Sequence, residues 1–313
     1  MHKYMFYIFN AINLMLILVS NPVYARNVPD ELLNIPITLI SGEKVTLSDF
    51  NGKSPVYLKF WATWCQPCRS EMPHLEQIHK KYGDQVKVIS INIDVSDSIE
   101  AVKSSIDEFG LSMPIAIDSS GELTQAFKMV GTPYHLLFDK NMNLIHRGHE
   151  ANKSLDNKLS LVSQTKPVDL LGSRELVSEN NVSDNKLEIE NNTTYALFFT
   201  STWCDWYLKD SRPETSKNCI AAQKYINELH SEYPDINWTG VVSRLWAGKK
   251  ELSDYTRKYS IKYPQFIDNS NNVFYDYKVK DLPTLIVIKD KKVVSKFVDF
   301  SNKQSISAAF NRL

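Results

Sequence analysis

The chain has 313 residues, and its 36 Lys and Arg residues balance its 36 Asp and Glu residues, so the zero net charge gives no reason to expect a nucleic-acid partner. Hydrophobic residues make up 43% and charged residues 23%, which excludes a disordered, collagen-like or multi-span membrane protein. The length suggests about two domains, and four cysteines are too few for a disulfide-stapled scaffold.

An apolar N-terminal stretch is the first predicted element. Its centre is the run at 14–19, and it ends with Val23 and Ala25 at the −3 and −1 positions of a cleavage site. This pattern is typical of a secretory signal, so residues 1–25 are predicted to be a signal peptide that directs export to the periplasm. An uncleaved N-terminal anchor is the alternative. Export would place the cysteines in an oxidising compartment, where thiols form disulfides or carry out redox chemistry.

Two segments of the remaining chain repeat one pattern. The first is a strand-like run at 56–61 that leads into Thr-Trp-Cys at 63–65. The second is a run at 195–199 that leads into Thr-Trp-Cys at 202–204. Self-similarity of this kind indicates a duplicated structural unit.

A second cysteine and a later proline follow in each repeat. The separation between Cys68 and Pro133 in the first repeat is almost the same as that between Cys219 and Pro283 in the second. The repeats differ between their two cysteines, which are separated by two residues in the first repeat and by fourteen in the second. The matching separations predict that the two halves are duplicates.

The coarse order in each repeat is strand, helix, strand, helix and two final strands. After the strands that lead to the cysteines, further strands are predicted at 86–92, 136–138, 144–147, 237–242, 285–288 and 293–297. This alternation predicts an α/β fold in which each half is a central mixed sheet flanked by helices. Residues 165–194, rich in Asn, Ser, Glu and Asp, are predicted to be a linker, with a short edge strand at its start as an option. The predicted domains are therefore 26–164 and 195–313.

The spacing of Cys65 and Cys68 indicates a redox site. Cys65 would precede a helix whose free N–H groups stabilise a thiolate, and Pro67 would fit the first turn of that helix. The exposed Cys65 thiolate would attack a substrate disulfide, and the shielded Cys68 would resolve the mixed disulfide. A permanent staple and half of a metal site are the alternatives, although the sequence has no second close cysteine pair for zinc.

The residues around this pair resemble the TlpA/ResA branch of the thioredoxin superfamily. The resemblance covers roughly residues 34–161 and rests on the segments at 40–52, 60–73 and 131–133. It implies a thioredoxin-like fold and an exported thiol–disulfide oxidoreductase, usually a reductant, that acts on disulfide-bearing envelope proteins. It also implies recharging by a membrane electron donor of the DsbD type, and it implies neither a cofactor nor a metal.

The same resemblance assigns roles to residues near the cysteines. Trp64 belongs to the active-site motif, and Pro133 is expected to be cis. The Thr132 backbone would then pair with a bound substrate strand beside Cys65. These assignments define the expected substrate groove.

Two charged residues complete the expected first site. Glu71 matches an acidic residue that tunes the cysteine pair in this branch. Lys59 stands where thioredoxin itself carries a buried aspartate. A lysine there would either stabilise a Cys68 thiolate or extend its charged end to the surface.

The second pair has two interpretations. Cys204 aligns with Cys65 when the two repeats are superimposed, and Cys219 is predicted to lie at the start of a helix over 220–230. As a structural staple that closes a loop of about 15 residues, the pair would stabilise the fold by about 3 kcal/mol. As a redox site, it would exchange electrons with a partner or with the first pair.

The surroundings of the second pair favour a divergent thioredoxin-like domain. Pro283 keeps the position of the expected cis-proline. The insert at 205–218 carries Trp206, Tyr207 and Leu208, which are candidates for a docking face because exposed aromatic residues often anchor partners.

The chain is therefore predicted to be an exported, tandem thioredoxin-like oxidoreductase, and other classes remain open. One is a non-enzymatic copper carrier or partner-binding scaffold of the same fold, and another is a disulfide oxidase or isomerase. His135 lies two residues after Pro133 and would suit a soft metal beside two thiolates, but it is predicted to be a strand residue. His146 and His149 are predicted to lie at the surface. The oligomeric state is not predicted.

Overall fold

The computed structural model describes residues 28–164, here called the first half, and residues 187–313, here called the second half. The predicted signal peptide and most of the predicted linker lie outside the described residues and stay predictions. Within the two described ranges, no helix combines the length and the apolar character that crossing a membrane requires.

The first half is built around one five-stranded sheet. Its elements are, in chain order, α1 Asp30–Leu33, β1 Ile37–Thr38, β2 Lys44–Val45, a 3₁₀ helix Leu47–Phe50, β3 Val56–Trp61, α2 Gln66–Ser70, α3 Met72–Tyr82, β4 Lys87–Asn92, α4 Ile99–Phe109, β5 Ile115–Ile117, α5 Glu122–Ala126, β6 Tyr134–Phe138, β7 Leu144–Gly148 and α6 Lys153–Val162. The sheet order is β5-β4-β3-β6-β7. Strands β5, β4 and β3 run parallel, whereas β6 and β7 are antiparallel to their neighbours.

Strand β3 lies in the centre of the sheet, which explains why its residues are mostly apolar. All six of its residues are buried, as expected for a strand with paired neighbours and covered faces on both sides. The strand ends at Trp61, and the next residues turn into α2. The first cysteine pair therefore lies just beyond the carboxyl end of the central strand.

The second half repeats this arrangement. Its elements are β8 Thr194–Thr200, α7 Cys204–Tyr207, α8 Pro213–Glu232, β9 Asn237–Ser243, α9 Lys249–Tyr259, β10 Gln265–Asp268, α10 Asn272–Asp276, β11 Thr284–Lys289, β12 Lys292–Phe297 and α11 Lys303–Phe310. The sheet order is β10-β9-β8-β11-β12, with the same parallel and antiparallel pairings as the first sheet. The predicted α/β class, with a mixed sheet and flanking helices in each half, is confirmed.

Both expected cis-prolines are present. The Thr132–Pro133 and Leu282–Pro283 peptide bonds are cis, and each proline directly precedes a strand, β6 in one half and β11 in the other. Together with the matching strand orders, these positions make β4 the counterpart of β9 and β6 the counterpart of β11.

The helix that carries Cys219 differs from the prediction. It begins at Pro213 rather than near residue 219, so most of the predicted insert is helical and Cys219 lies inside α8. Pro213 occupies the first turn, where its missing N–H costs nothing, and Glu214 beside it favours the positive end of the helix. These local signals lengthen the helix by about two turns.

The cores of the two halves are connected. One cluster of buried side chains contains the core of the first half and also five residues of the second half: Trp203, Cys204, Leu208, Cys219 and Leu245. Two further clusters form the second half's own core. Leu187 and Ile189, which the sequence assigns to the linker, pack against one of these clusters. The end of the predicted linker is thus part of the second half.

Candidate active site

The first cysteine pair lies where β3 gives way to α2. Cys65 is the N-cap of α2, and its Sγ accepts a hydrogen bond from the Cys68 amide at 3.2 Å. Pro67 lies in the first turn, as predicted. Cys65 and Cys68 are joined by a disulfide with their Cα atoms 5.2 Å apart. A helix N-terminus at Cys65 provides N–H groups that would stabilise its thiolate after reduction.

The expectation that Cys65 is exposed is wrong. Its relative exposure is 1%, and that of Cys68 is 0%. Residues of the second half pack over the neighbours of the pair and join its buried cluster: the Trp64 ring stacks on Trp203 with centroids 4.9 Å apart, and the Gln66 amide donates to Tyr207 Oη at 3.2 Å. The covering residues are far from the pair in the sequence, so local pattern could not reveal them.

The contact between the halves is reciprocal. The Trp246 amide donates to the Val130 carbonyl at 2.9 Å, and the Ser96 amide donates to the Lys280 carbonyl at 3.0 Å. Val130 and Lys280 each lie three residues before a cis-proline, whereas Ser96 and Trp246 each follow the second strand of their sheet. Because equivalent positions exchange partners, the halves face each other across an approximate two-fold axis.

The two stacked tryptophans are equivalent in the same way. Trp64 Nε1 donates to the Val95 carbonyl and Trp203 Nε1 to the Leu245 carbonyl, both at 2.7 Å. Each indole is therefore fixed by the loop that follows the neighbouring strand of its own half. The rigid orientation of both rings allows them to stack at the centre of the contact.

Close approach at Gly131 also requires a small residue. A Cβ atom at this position would lie 2.6 Å from Cε2 of Trp246, which is too close for an unstrained contact. Sequence reasoning missed Trp246. The repeat could have indicated it, because Trp246 follows β9 in the second half as Ser96 follows the equivalent strand β4 in the first.

Polar contacts surround this apolar centre. Arg212 forms a hydrogen bond with Thr63 and an ion pair with the buried Asp97 at 3.3 Å. Lys280 pairs with Asp94 at 2.7 Å. These contacts join the two halves through side chains that are partly exposed, Arg212 and Lys280.

Lys59, Glu71 and His135 form one buried network behind the cysteines. Lys59 Nζ lies 2.8 Å from Glu71 Oε2, and His135 Nε2 lies 3.2 Å from the same oxygen. Glu71 Oε1 accepts the Ala151 amide at 2.8 Å, and His135 Nδ1 lies 2.8 Å from Tyr57 Oη. Lys59 is completely buried, so its predicted alternative of extending to the surface is wrong.

In this network, burial and the pairing of charges shift the pKa values in opposite directions. Burial raises the pKa of Glu71, but the hydrogen bond to His135, the charge and hydrogen bond of Lys59 and the Ala151 amide together lower it to about 2. Burial lowers the pKa of Lys59, and the carboxylate of Glu71 partly opposes that shift. Burial also lowers the pKa of His135. The network therefore holds a charged Lys59–Glu71 pair beside a neutral imidazole at neutral pH.

This network predicts acid sensitivity. Because the pKa of Glu71 falls from its usual value of 4.5 to about 2 on folding, the unfolded chain binds the proton first. The contribution of Glu71 to the free energy of unfolding is fully present above pH 4.5 and is lost as the pH falls toward 2. Urea unfolding at intervals between those values should show the loss. In Glu71→Gln the free energy of unfolding should fall less steeply with decreasing pH than in the wild type. An unchanged slope would contradict the assignment of this acid sensitivity to Glu71.

Two histidines lie deeper than predicted. His146 is buried on β7, and His149 is half-buried, with Nδ1 donating to the Pro133 carbonyl at 2.8 Å. The His149 ring also packs against Trp246, with centroids 5.5 Å apart. The prediction that both lie at the surface is wrong, because β7 is covered and the second half packs over the cis-proline loop. Among residues 28–164 and 187–313, no cluster of three or more His, Cys, Asp or Glu side chains could hold a metal ion.

A cavity of about 560 Å³ lies beside the cysteine pair, between the halves. The first half contributes Trp64, Pro67 and Thr132, which belong to the expected substrate groove. Thr132 is 2% exposed, and its Oγ1 has no hydrogen-bond partner among the described residues. The second half lines the opposite side with Thr202, Trp203, Trp206, Tyr207, Trp246, Glu251, Asp254, Tyr255 and Lys258. The structure thus brings the motif tryptophan and the cis-proline loop to one apolar space.

The second pair, Cys204 and Cys219, is joined by a disulfide with Cα atoms 6.1 Å apart. Each cysteine is 1% exposed. The three aromatic and apolar residues proposed for docking have different environments: Trp206 is 59% exposed, Tyr207 contacts Trp64 and Leu208 is buried.

Comparisons with known proteins match the first half. The AhpC/TSA family matches residues 27–147. The chain is 34% identical over 136 residues to the thiol-disulfide oxidoreductase ResA of Bacillus thuringiensis subsp. konkukian (strain 97-27), an alignment that covers 42% of this chain and 77% of ResA. It is 37% identical over 125 residues to the thioredoxin-like protein YneN of Bacillus subtilis (strain 168), covering 39% and 72%. The crystal structure of StoA from Bacillus subtilis superimposes with a TM-score of 0.36 and 23% identity, covering 40% of this chain and 95% of StoA.

Proposed function

Because this chain belongs to the ResA family of thiol-disulfide oxidoreductases within the thioredoxin superfamily, we propose that it is exported to the periplasm and reduces disulfides of envelope proteins there. The reducing group is the Cys65–Cys68 pair, recharged by a membrane electron donor of the DsbD type. The second half is a divergent thioredoxin-like domain, which its strand order and its cis-proline support.

The position of Cys65 at the N-cap of α2 is the observation that carries this proposal. In the reduced protein the Cys65 thiolate attacks a substrate disulfide and forms a mixed disulfide, and one substrate sulfur leaves as a thiol. Cys68 then attacks Cys65, which releases the second substrate sulfur and restores the Cys65–Cys68 bond. Two electrons pass from the protein to the substrate in each cycle.

The neighbouring residues have supporting roles in this scheme. The Thr132 backbone pairs with the substrate strand, and Trp64 forms a wall of the groove; both line the cavity beside the cysteines. Glu71 and Lys59 set the electrostatic environment behind the pair. Because Cys65 is 1% exposed, a protein disulfide reaches it only after the covering residues of the second half move away.

Insulin reduction tests the reducing role. With dithiothreitol as the electron source, Cys65→Ser is expected to slow insulin reduction by at least about 100-fold, because the nucleophile is lost. In a chain that also lacks Cys204 and Cys219, Cys68→Ser should instead accumulate a mixed disulfide with insulin once dithiothreitol has been removed. The control replaces Cys204 and Cys219, which removes the chain's two other cysteines and leaves the proposed nucleophile in place. Equal loss in the control, or full activity without Cys65, would contradict the proposal.

A further inference from the structure

The second disulfide lies in an unexpected part of the molecule. A structural staple of the second half would be expected within that half's own core. Cys204 and Cys219 instead belong to the buried cluster that contains Cys65 and Cys68, and they are absent from the two clusters that form the core of the second half. The second disulfide thus shares a buried cluster with the first site and lies outside the second half's own core.

The two pairs are also related by the approximate two-fold axis. Cys65 and Cys204 each directly follow one of the two stacked tryptophans, Trp64 and Trp203. Across the same contact, the Gln66 amide next to Cys65 donates to Tyr207 Oη in α7, the helix that begins at Cys204. The first cysteine of each pair therefore lies beside the centre of the contact.

Solvent is excluded from both pairs. The relative exposures are 1% for Cys65, 0% for Cys68, and 1% each for Cys204 and Cys219. In this closed arrangement an external disulfide cannot reach Cys65. The disulfide that shares its buried cluster is the one within the same chain.

We propose that Cys204–Cys219 is a second redox site, which accepts two electrons from the reduced Cys65–Cys68 pair by intramolecular exchange. The inference rests on the proposed function of the first pair as a reducing dithiol. It makes the chain a carrier of two electron pairs, with the second half as an internal partner of the first.

The exchange balances without an external reagent. The Cys65 thiolate attacks Sγ of Cys204, the Cys204–Cys219 bond breaks, and the Cys219 sulfur leaves and takes the proton of Cys68. The resulting Cys68 thiolate attacks Cys65, so that the Cys65–Cys68 bond forms and Cys204 leaves as a thiolate. One dithiol is oxidised and one disulfide is reduced.

The intermediate can be trapped in the full-length protein. Cys68→Ser leaves Cys65 free beside an intact Cys204–Cys219 disulfide. After anaerobic incubation, acid quenching and alkylation, peptide mapping by mass spectrometry is expected to find Cys65 joined to Cys204 and an alkylated Cys219, in monomeric chains. Cys65→Ser is the matched control, and it should retain Cys204–Cys219. Alkylated Cys65 with Cys204–Cys219 intact in a folded monomer would overturn the relay.

A rate measurement gives an independent answer. When dithiothreitol reduces the oxidised protein, reduction of Cys204–Cys219 is expected to be at least about ten-fold slower in Cys65→Ser/Cys68→Ser than in the wild type, because the buried pair receives its electrons through the first. Equal rates would overturn the relay. Insulin reduction by the wild type is followed in parallel, so a protein that relays electrons but does not reduce insulin separates failure of the proposed substrate class from failure of the relay.

Discussion

Replacing Glu71 with Gln is expected to lower the free energy of unfolding by about 3–5 kcal/mol at pH 7, because it leaves the buried Lys59 ammonium without its counter-charge. Lys59 is fully buried, and its Nζ lies 2.8 Å from the carboxylate. Urea unfolding followed by circular dichroism measures the change. A loss below about 1 kcal/mol would show that water or another group compensates Lys59.

A double variant provides the control for this prediction. Lys59→Met/Glu71→Gln removes both charges while it keeps most of the buried volume, so no uncompensated charge remains. It is expected to recover part of the stability lost in Glu71→Gln alone. If the double variant is the less stable protein, the pair contributes more through its hydrogen bonds than through the neutralisation of Lys59.

Replacing Trp203 with Ala is expected to raise the alkylation rate of reduced Cys65 by iodoacetamide at least about ten-fold, because the side chain that covers Trp64 is removed. Trp203 is 5% exposed and stacks on Trp64 at 4.9 Å. The rate is measured by mass spectrometry of quenched samples. Trp206→Ala is the matched control, since Trp206 is 59% exposed and contacts Tyr207 rather than Trp64.

Truncation of a buried tryptophan lowers the free energy of unfolding by about 3–5 kcal/mol, so Trp203→Ala could expose Cys65 simply by unfolding the protein. A second, milder variant separates the two effects. Gly131→Ala adds a single methyl group that meets the Trp246 ring, so it should loosen the same contact with a smaller effect on either core. Faster alkylation in both variants supports coverage by the second half. If neither variant changes the rate, the halves already separate when the first disulfide is reduced.

Much of the fold can be predicted because the relevant signals are local. The apolar run that forms β3, the cysteine at its end and the proline before β6 are close-range patterns, and all reappear in the second half. The repeat therefore indicates both cis-proline positions. The start of α8 is missed even though Pro213 and Glu214 are local signals, because the alignment of the cysteines places the helix start at Cys219.

The environment of the site cannot be predicted in the same way. The neighbours of Cys65 contact the second half, Trp64 through Trp203 and Gln66 through Tyr207. The sequence of a duplicated chain does not reveal how its two copies pack against each other. The Lys59 ion pair likewise requires the fold, because β3 and the segment after α2 meet only in three dimensions. Long-range packing decides each of these cases.

The reciprocal contact between the halves resembles the isologous interface of a homodimer, except that one polypeptide supplies both partners. Separate subunits would dissociate on dilution, whereas tethered halves meet at an effective concentration that dilution of the protein does not change. Coverage of Cys65 should therefore be the same at nanomolar and at micromolar protein. A face that is self-complementary within one chain is also already occupied, so a second copy finds no matching surface there.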